Sequence, residues 1–153
     1  MSNAGAKYYL EDLTQGDQYT SRTHALDAEQ IIAYAKQFDP QIFHTDPVLA
    51  QQSFFAGLAA SGWHTAGITM KLLVESVPFV GGLVGAGCEV TWPQATRPDD
   101  ILHVQSEIIS ITPSRTKKDR GIVLLESLTK NQHGAIVQRM LSKLVVRRKN
   151  IEL

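Results

Sequence analysis

Apolar residues near the start of the chain recur three and four positions apart, which is the spacing of one face of a helix. Asp27 is a favoured N-cap residue, and Gln30 follows it at the position of a capping box. Pro40 cannot continue a helix. We therefore predict a helix over residues 27–38, with a core face formed by Ile31, Tyr34, Ala35 and Phe38.

A second, longer helix is predicted to begin at Ser61-Gly62, with Ser61 as its N-cap, and to end before Pro78. Its apolar positions with helical spacing are Trp63, Gly67, Met70, Val74 and Val77. Because residues 47–70 contain no Asp, Glu, Lys or Arg, we expect this helix to be wrapped by the rest of the protein. The same stretch holds too many polar residues to be a membrane span.

The second half of the chain changes to β-rich runs separated by turn residues. An earlier, weakly alternating stretch from Gly16 to Ala25 predicts a first strand. The later runs are Leu83–Trp92, Ile101–Thr112, Ile122–Asn131 and Ala135–Arg148. Neighbouring runs with short connections pair antiparallel, so we predict an α+β fold in which an antiparallel sheet curls around the long helix.

Length and composition narrow the class of protein. The 153 residues predict one domain, and 43% apolar with 20% charged residues is typical of a soluble globular protein. Fifteen basic residues balance fifteen acidic ones, which argues against nucleic acid or a membrane as a partner. With Cys88 as the only cysteine and no signal peptide in residues 1–12, we expect a cytoplasmic protein. Residues 1–6, which include Ser2-Asn3-Ala4, resemble a tag remnant or a disordered end.

The most informative positions are Asp39 and His44, in the short link after the first helix. A carboxylate just beyond a helix C-terminus faces the negative end of the helix dipole, which costs a few tenths to about 1 kcal/mol. Residues that break a local rule without visible compensation are expected at functional sites. The pair offers a general base and a proton donor. The alternative is that Asp39 caps turn amides while His44 is only a surface or core residue.

Other polar residues have simpler interpretations. Asp46-Pro47 is a strong start for a short helix that ends between Ser53 and Gly57, so we assign Asp46 to capping. A metal site of His44, Asp46 and His64 matches no familiar zinc spacing, and we predict no metal. The glycines between residues 81 and 87 do not form a dinucleotide fingerprint, and no cofactor is expected.

Four motifs follow one another between the first and second helices, and they are Asp39-x-x-x-x-His44, Thr45-Asp46-Pro47, Phe54-Phe55-Ala56-Gly57-Leu58 and Ala60-Ser61-Gly62-Trp63. In these motifs the chain resembles the MaoC-like dehydratases, the (R)-specific enoyl-CoA hydratases. Later matches extend the resemblance over about residues 9–147, and they are Val90-Thr91-Trp92-Pro93, Arg97-Pro98-Asp99-Asp100 and the loop from Ser114 to Gly121.

The resemblance implies a hotdog fold, in which a sheet wraps a central helix, and homodimers with active sites near the subunit interface. It implies an acyl-CoA substrate, with Asp39 and His44 as the catalytic pair and the Gly62 backbone N–H as the donor to the thioester oxygen. A helix N-terminus is suited to meet an oxyanion. Ser61 and Trp63 are predicted to be further substrate contacts. The alternative for Gly62 is that it only permits close packing against a strand.

Some positions depart from the family pattern. Gln41-Ile42-Phe43 stands where the family often has Asn-Pro-Ile, Ser61 replaces a common histidine, and Met70 occupies a position at which some hydratases have serine. These differences leave the acyl-chain preference open. Candidates for holding the CoA phosphates are Arg97 and the cluster Arg115, Lys117, Lys118 and Arg120. The alternative for the cluster is a solvated hairpin tip.

The predicted reaction is reversible hydration of a 2-enoyl-CoA to an (R)-3-hydroxyacyl-CoA. Asp39 would deprotonate or orient water, and His44 would share that role or donate the proton to the α-carbon. Two alternatives remain open, an acyl-CoA thioesterase on the same fold and a non-catalytic acyl-binding dimer module. The pair favours the hydratase, since hydrolysis of a thioester does not need a proton donor aimed at the α-carbon.

Overall fold

The computed structural model describes residues 7–149, which form three α-helices and a six-stranded sheet. The predicted tag or disordered end at residues 1–6 lies outside the described residues. The helices are α1 (Ala28–Phe38), α2 (Ile42–Thr45) and α3 (Gly62–Ser76). The strands are β1 (Gln18–Thr20), β2 (His24–Ala25), β3 (Val84–Thr91), β4 (Ile101–Pro113), β5 (Arg120–Lys130) and β6 (Ile136–Arg147).

The strands pair antiparallel in the order β1-β4-β5-β6-β3, and β2 pairs with β4 beyond β1. Every second residue of β5 is buried, from Gly121 to Thr129, as expected for a strand with one face on the core. The four predicted runs of the second half are confirmed to within two residues at each end. The predicted first strand is instead two short strands, because the chain leaves β4 between residues 20 and 24.

Helix α3 packs on the inner face of the sheet. Its buried residues are Thr65, Ile68, Thr69, Leu72 and Leu73. The apolar ones join a single core with side chains of β4, β5 and β6, among them Val104, Ile108, Val123, Leu125 and Val137. The α+β arrangement predicted from the sequence, an antiparallel sheet around one long helix, is confirmed.

One face of α3 is open, and here the prediction of a helix wrapped on all sides is wrong. Trp63, Met70 and Val74 are 62%, 41% and 56% exposed. They form one stripe because their spacing of seven and four residues returns to the same side of a helix. The stripe points away from the core, and nothing in residues 7–149 buries it. None of the helices in that range is long and apolar enough to cross a membrane.

Local capping explains the starts of two elements. The Asp27 carboxylate accepts the Gln30 backbone N–H at 2.8 Å and caps α1, as predicted. Asp46 accepts the N–H groups of Val48 and Leu49 at 2.9 and 3.0 Å, which confirms its capping role. The element after Asp46 is a 3-10 helix, Leu49–Gln52. The preceding link, predicted as a loop, contains the single turn of α2.

Candidate active site

Asp39 lies directly after α1 and in front of the start of α3. Its backbone N–H donates to the Ala35 carbonyl at 2.9 Å and closes the last turn of α1. Its side chain is only 17% exposed, so the carboxylate points inward from the end of the helix. The stop imposed by Pro40 therefore leaves a carboxylate at the edge of the core.

His44 is held in α2 with one ring nitrogen engaged and the other facing Asp39. Nδ1 lies 2.6 Å from the Ala59 carbonyl, and a carbonyl only accepts, so Nδ1 carries a proton. Nε2 lies 3.3 Å from Asp39 Oδ2. Nε2 therefore carries a proton only when the ring is a cation. The two residues that sequence analysis paired are in contact.

Two further side chains hold the Asp39 carboxylate. Ser61 Oγ donates to Oδ2 at 2.7 Å, and Gln41 Nε2 donates to Oδ1 at 2.5 Å. Burial raises the pKa of Asp39, but these hydrogen bonds and the charge of His44 outweigh it and bring the pKa below its ordinary value of 3.8. The compensation that the local sequence does not show therefore comes from donors outside the helix that Asp39 follows.

The start of α3 lacks the side-chain cap that was predicted for it. Ser61 occupies the N-cap position, but its hydroxyl is committed to Asp39 and accepts no hydrogen bond from the helix. Its backbone carbonyl accepts the N–H groups of His64 and Thr65. Within residues 7–149 no acceptor takes the N–H of Gly62 or of Trp63. Two donors at the positive end of α3 thus stay unoccupied beside the Asp39–His44 pair.

Gly62 is in close contact with the end of strand β3. A Cβ atom built on Gly62 would lie 2.6 Å from Cε2 of Trp92, so any larger residue at this position would have to displace the indole ring. The close packing weighed as an alternative for Gly62 is thus present. It occupies the side-chain direction, while the Gly62 N–H has no acceptor among residues 7–149. Trp63, predicted as a substrate contact, is exposed and packs edge-on against Trp92 with ring centroids 5.3 Å apart.

His64 packs on a residue of α1 rather than pairing with Asp39. Its ring stacks on Tyr34 with centroids 4.5 Å apart and planes 6° from parallel. Burial, and secondarily the charge of His24, lowers the pKa of His64. No group of three or more His, Cys, Asp or Glu side chains in residues 7–149 is placed to hold a metal ion.

Two of the three arginines considered for phosphate binding, Arg97 and Arg120, have other partners. Arg97 donates through its guanidinium to the carbonyls of Phe55 and Leu58 and so fixes the turn before α3. Arg120 pairs with its neighbour Asp119 at 2.8 Å on the surface. A structural role therefore accounts for Arg97.

Sequence reasoning missed the roles of Gln41 and Trp92. Gln41 lies between the two predicted catalytic residues, and its polar side chain two positions after Asp39 was an available signal. Trp92 carries no local signal that could link it to Gly62, because the two residues are 30 positions apart and meet only in the folded chain.

An antiparallel sheet around one helix, with an acid–base pair at the start of that helix, defines a hotdog protein with the groups needed for proton transfer. Comparison with known proteins is consistent with this class. A family model described as the MaoC like domain matches residues 11–131. The chain therefore belongs to the MaoC-like dehydratase family.

Individual relatives share both sequence and fold. The crystal structure of the MaoC-like dehydratase from Rhodospirillum rubrum is 51% identical, with a TM-score of 0.92 over 94% of this chain and 99% of its own. The uncharacterised protein YdeM of Bacillus subtilis (strain 168) is 32% identical over 126 residues, which are 80% of this chain and 87% of YdeM. R-hydratase PhaJ1 from Pseudomonas aeruginosa, at 18% identity, has the same fold with a TM-score of 0.76 over 96% of this chain and 92% of its own.

Proposed function

We propose that this protein catalyses the reversible hydration of a 2-enoyl-CoA to an (R)-3-hydroxyacyl-CoA. The observation that carries the proposal is the 3.3 Å approach of His44 Nε2 to Asp39 Oδ2 beside the unoccupied N–H of Gly62. Hydration needs a group that accepts a proton from water, a group that gives one to the α-carbon, and a donor for the thioester oxygen. This arrangement offers one candidate for each. The (R) configuration follows the R-hydratase relative, and the CoA carrier follows the resemblance of the motifs between Asp39 and Gly62.

Asp39 acts as the base in this proposal. Its lowered pKa keeps the carboxylate charged at neutral pH, ready to accept the proton of a water molecule as the water oxygen attacks the β-carbon. Electron density moves through the double bond to the thioester oxygen, which becomes an enolate. The Gly62 N–H donates to that oxygen, and one such donor contributes roughly 3–4 kcal/mol to the transition state.

His44 completes the proton transfer. As a cation it donates its Nε2 proton to the α-carbon, and the enolate collapses to the saturated thioester. The proton that Asp39 took from water then passes to Nε2 across the 3.3 Å gap, which restores the charged carboxylate and the imidazolium. One water is consumed, with its hydroxyl on the β-carbon and a net proton on the α-carbon. Each proton-transfer group is expected to contribute about 10²–10⁴-fold.

We further propose that the protein is a cytoplasmic homodimer. Strand β3 is an edge strand, and its residues from Val84 to Glu89 are all exposed. Unpaired edges invite pairing with another chain. The exposed apolar stripe of α3, formed by Trp63, Met70 and Val74, extends this surface, since Trp63 contacts Trp92 just beyond β3. Light scattering should give twice the 16.9 kDa chain mass, and a monomer would contradict the proposal.

The activity is tested with crotonyl-CoA and longer 2-enoyl-CoAs. Loss of the conjugated-thioester absorbance and release of free CoA are followed in parallel. Absorbance loss without thiol release is the expected result. Thiol release would show a thioesterase instead. If neither signal is observed, the protein is an acyl-binding module.

Variants then test the site. We expect Asp39→Asn and His44→Ala to remove the absorbance change. The matched controls Asp99→Asn and His133→Ala alter exposed residues of the same types and should retain it. Activity that survives both site variants would contradict the assignment of Asp39 and His44.

A further inference from the structure

A small pocket lies directly against Gly62, and the proposed proton transfers do not involve it. It has a volume of about 140 Å³ and opens to solvent on one side. It is lined by Phe55, Ala60, Gly62, Thr65, Trp92 and Ala95, and also by the polar residues Gln94 and Thr96. We call it the Trp92 pocket.

The Trp92 pocket adjoins the Asp39–His44 pair through two of its lining residues, Phe55 and Gly62. Phe55, which forms one wall, packs against the His44 ring with centroids 5.9 Å apart. Gly62, which forms the edge of the pocket, is the residue whose N–H is proposed to bind the thioester oxygen. A thioester held there would therefore have one of its two substituents directly at the pocket mouth.

Most of the pocket lining is apolar, since the Thr96 hydroxyl is bonded to Thr65 and Gln94 is exposed to solvent. Phe55, Ala60, Trp92 and Ala95 present apolar surface. The hydroxyl of Thr65 is already used, since it donates to Thr96 Oγ1 at 3.1 Å. No charged side chain lines the pocket. An acyl chain is consequently a better occupant than the polar pantetheine arm of CoA, whose amides would need partners.

Trp92 sets the size of the pocket because hydrogen bonds to buried residues hold its indole ring in place. Its Nε1 donates to Gln138 Oε1 at 2.9 Å, and Gln138 Nε2 donates to Thr69 Oγ1 at 3.1 Å. Thr69 in turn bonds Thr129 at 2.6 Å across the core. Gln138, Thr69 and Thr129 are completely buried. Moving the indole aside would break a buried chain of hydrogen bonds, which is costly.

We infer that the Trp92 pocket holds the acyl chain and restricts the enzyme to short 2-enoyl thioesters of about four to six carbons. A protein cavity of about 150 Å³ accommodates benzene, a molecule of six carbons, and this pocket is of similar volume. Longer chains would have to displace Trp92 or leave the pocket. The inference rests on the proposed hydratase function, because that function places the thioester at Gly62.

Chain-length dependence tests the inference. We expect kcat/KM to rise from the four-carbon to the six-carbon 2-enoyl-CoA by up to about fourfold for each methylene that the pocket buries. From six to ten carbons it should fall at least about tenfold, which corresponds to roughly 1.4 kcal/mol. A kcat/KM at ten carbons equal to or above that at six would overturn the inference.

Two substitutions should move this preference in opposite directions. Trp92→Leu enlarges the pocket and should raise the ratio of ten-carbon to four-carbon kcat/KM at least about tenfold. Ala95 is a half-exposed residue of the pocket lining, so Ala95→Leu places a larger side chain in the pocket. It should lower the ratio of six-carbon to four-carbon kcat/KM. The control Ala33→Leu makes the same change on the exposed side of α1 and should leave both ratios within about twofold. Ratios between substrates do not depend on the folded fraction, so a partly unstable variant remains informative.

Failure of the proposed function has a different signature. If no enoyl-CoA is hydrated, calorimetric titration with butyryl-, hexanoyl- and decanoyl-CoA still measures the pocket. Affinity that stops increasing beyond six carbons, and increases further in Trp92→Leu, supports the short acyl pocket without the hydratase. Affinity that climbs steadily to ten carbons in the unaltered protein, or unchanged ratios in both pocket variants, contradicts it.

Discussion

The starts of α1 and α3 both follow a residue suited to capping, yet only one of them is capped by its side chain. Asp27 accepts the Gln30 N–H at 2.8 Å, so the first turn of α1 is closed. Ser61 instead donates its hydroxyl to Asp39 at 2.7 Å, and the N–H groups of Gly62 and Trp63 are left without acceptors among residues 7–149. The first arrangement stabilises a helix. The second leaves a helix terminus available for a ligand and fixes a carboxylate beside it.

The largest expected loss of activity comes from replacing the Asp39 carboxylate, which accepts the Ser61 hydrogen bond. Asp39→Asn should lower kcat for crotonyl-CoA by about 10²–10⁴-fold, because the amide cannot accept the proton of the attacking water. Steady-state kinetics measures this change. Asp27→Asn is the matched substitution at the other helix start, and asparagine also caps well, so activity and stability should both be retained. An equal loss of kcat in Asp39→Asn and Asp27→Asn would contradict the distinction between the two helix starts.

Gly62→Ala should destabilise the fold by about 1–3 kcal/mol, because its Cβ would lie 2.6 Å from the Trp92 ring. Urea denaturation measures the loss. Adding Trp92→Leu removes the ring and should recover most of the stability. Since the backbone N–H is unchanged, activity on crotonyl-CoA should return with it. Recovery of the fold without recovery of activity would mean that the methyl group itself blocks the thioester.

Ser61→Ala should lower kcat/KM about tenfold, because it removes a hydrogen bond to a charged group. The same change should raise the pKa of Asp39, since Ser61 is a principal cause of its lowering. The acid limb of the pH–rate profile, which reports protonation of Asp39, should therefore move to higher pH. Ser61→Cys keeps a weak donor and should shift the limb by less. An acid limb that does not move in Ser61→Ala would contradict the positioning of Asp39 by Ser61.

The smallest effect is expected at the conventional cap. Asp27→Ala should cost about 1 kcal/mol of unfolding free energy through loss of the α1 cap, and kcat/KM should stay within about twofold of its original value. Denaturation and kinetics on the same preparation measure both quantities. A tenfold loss of activity in Asp27→Ala would show that the α1 start also positions the site.

Local sequence rules predicted the parts of this molecule that depend on neighbouring residues. The cap at Asp27, the stop at Pro40 and the cap at Asp46 each involve partners within four positions. The four long strands were predicted for the same reason, because alternation and turn residues are local features.

The remainder depended on contacts between distant segments. Ser61 and Asp39 are 22 positions apart, and Ser61 was assigned to capping because only its own helix start was visible in the sequence. Trp92 meets Gly62 only after β3 has joined the sheet. The exposed stripe on α3 contradicts the prediction of a helix that the rest of the chain covers. The prediction failed because a lack of charged residues is typical of an interface between chains as well as of a core.

Hydration of crotonyl-CoA in ¹⁸O-labelled water, followed by mass spectrometry of the intact thioester, tests the central claim most directly. If Asp39 and His44 deliver water to the β-carbon, the product is a CoA thioester heavier by one labelled water. The label then lies in the 3-hydroxyl group, and Asp39→Asn forms this product at least about 10²-fold more slowly. Label in a free carboxylate, together with released CoA, would contradict the account, because water would then have attacked the thioester carbon.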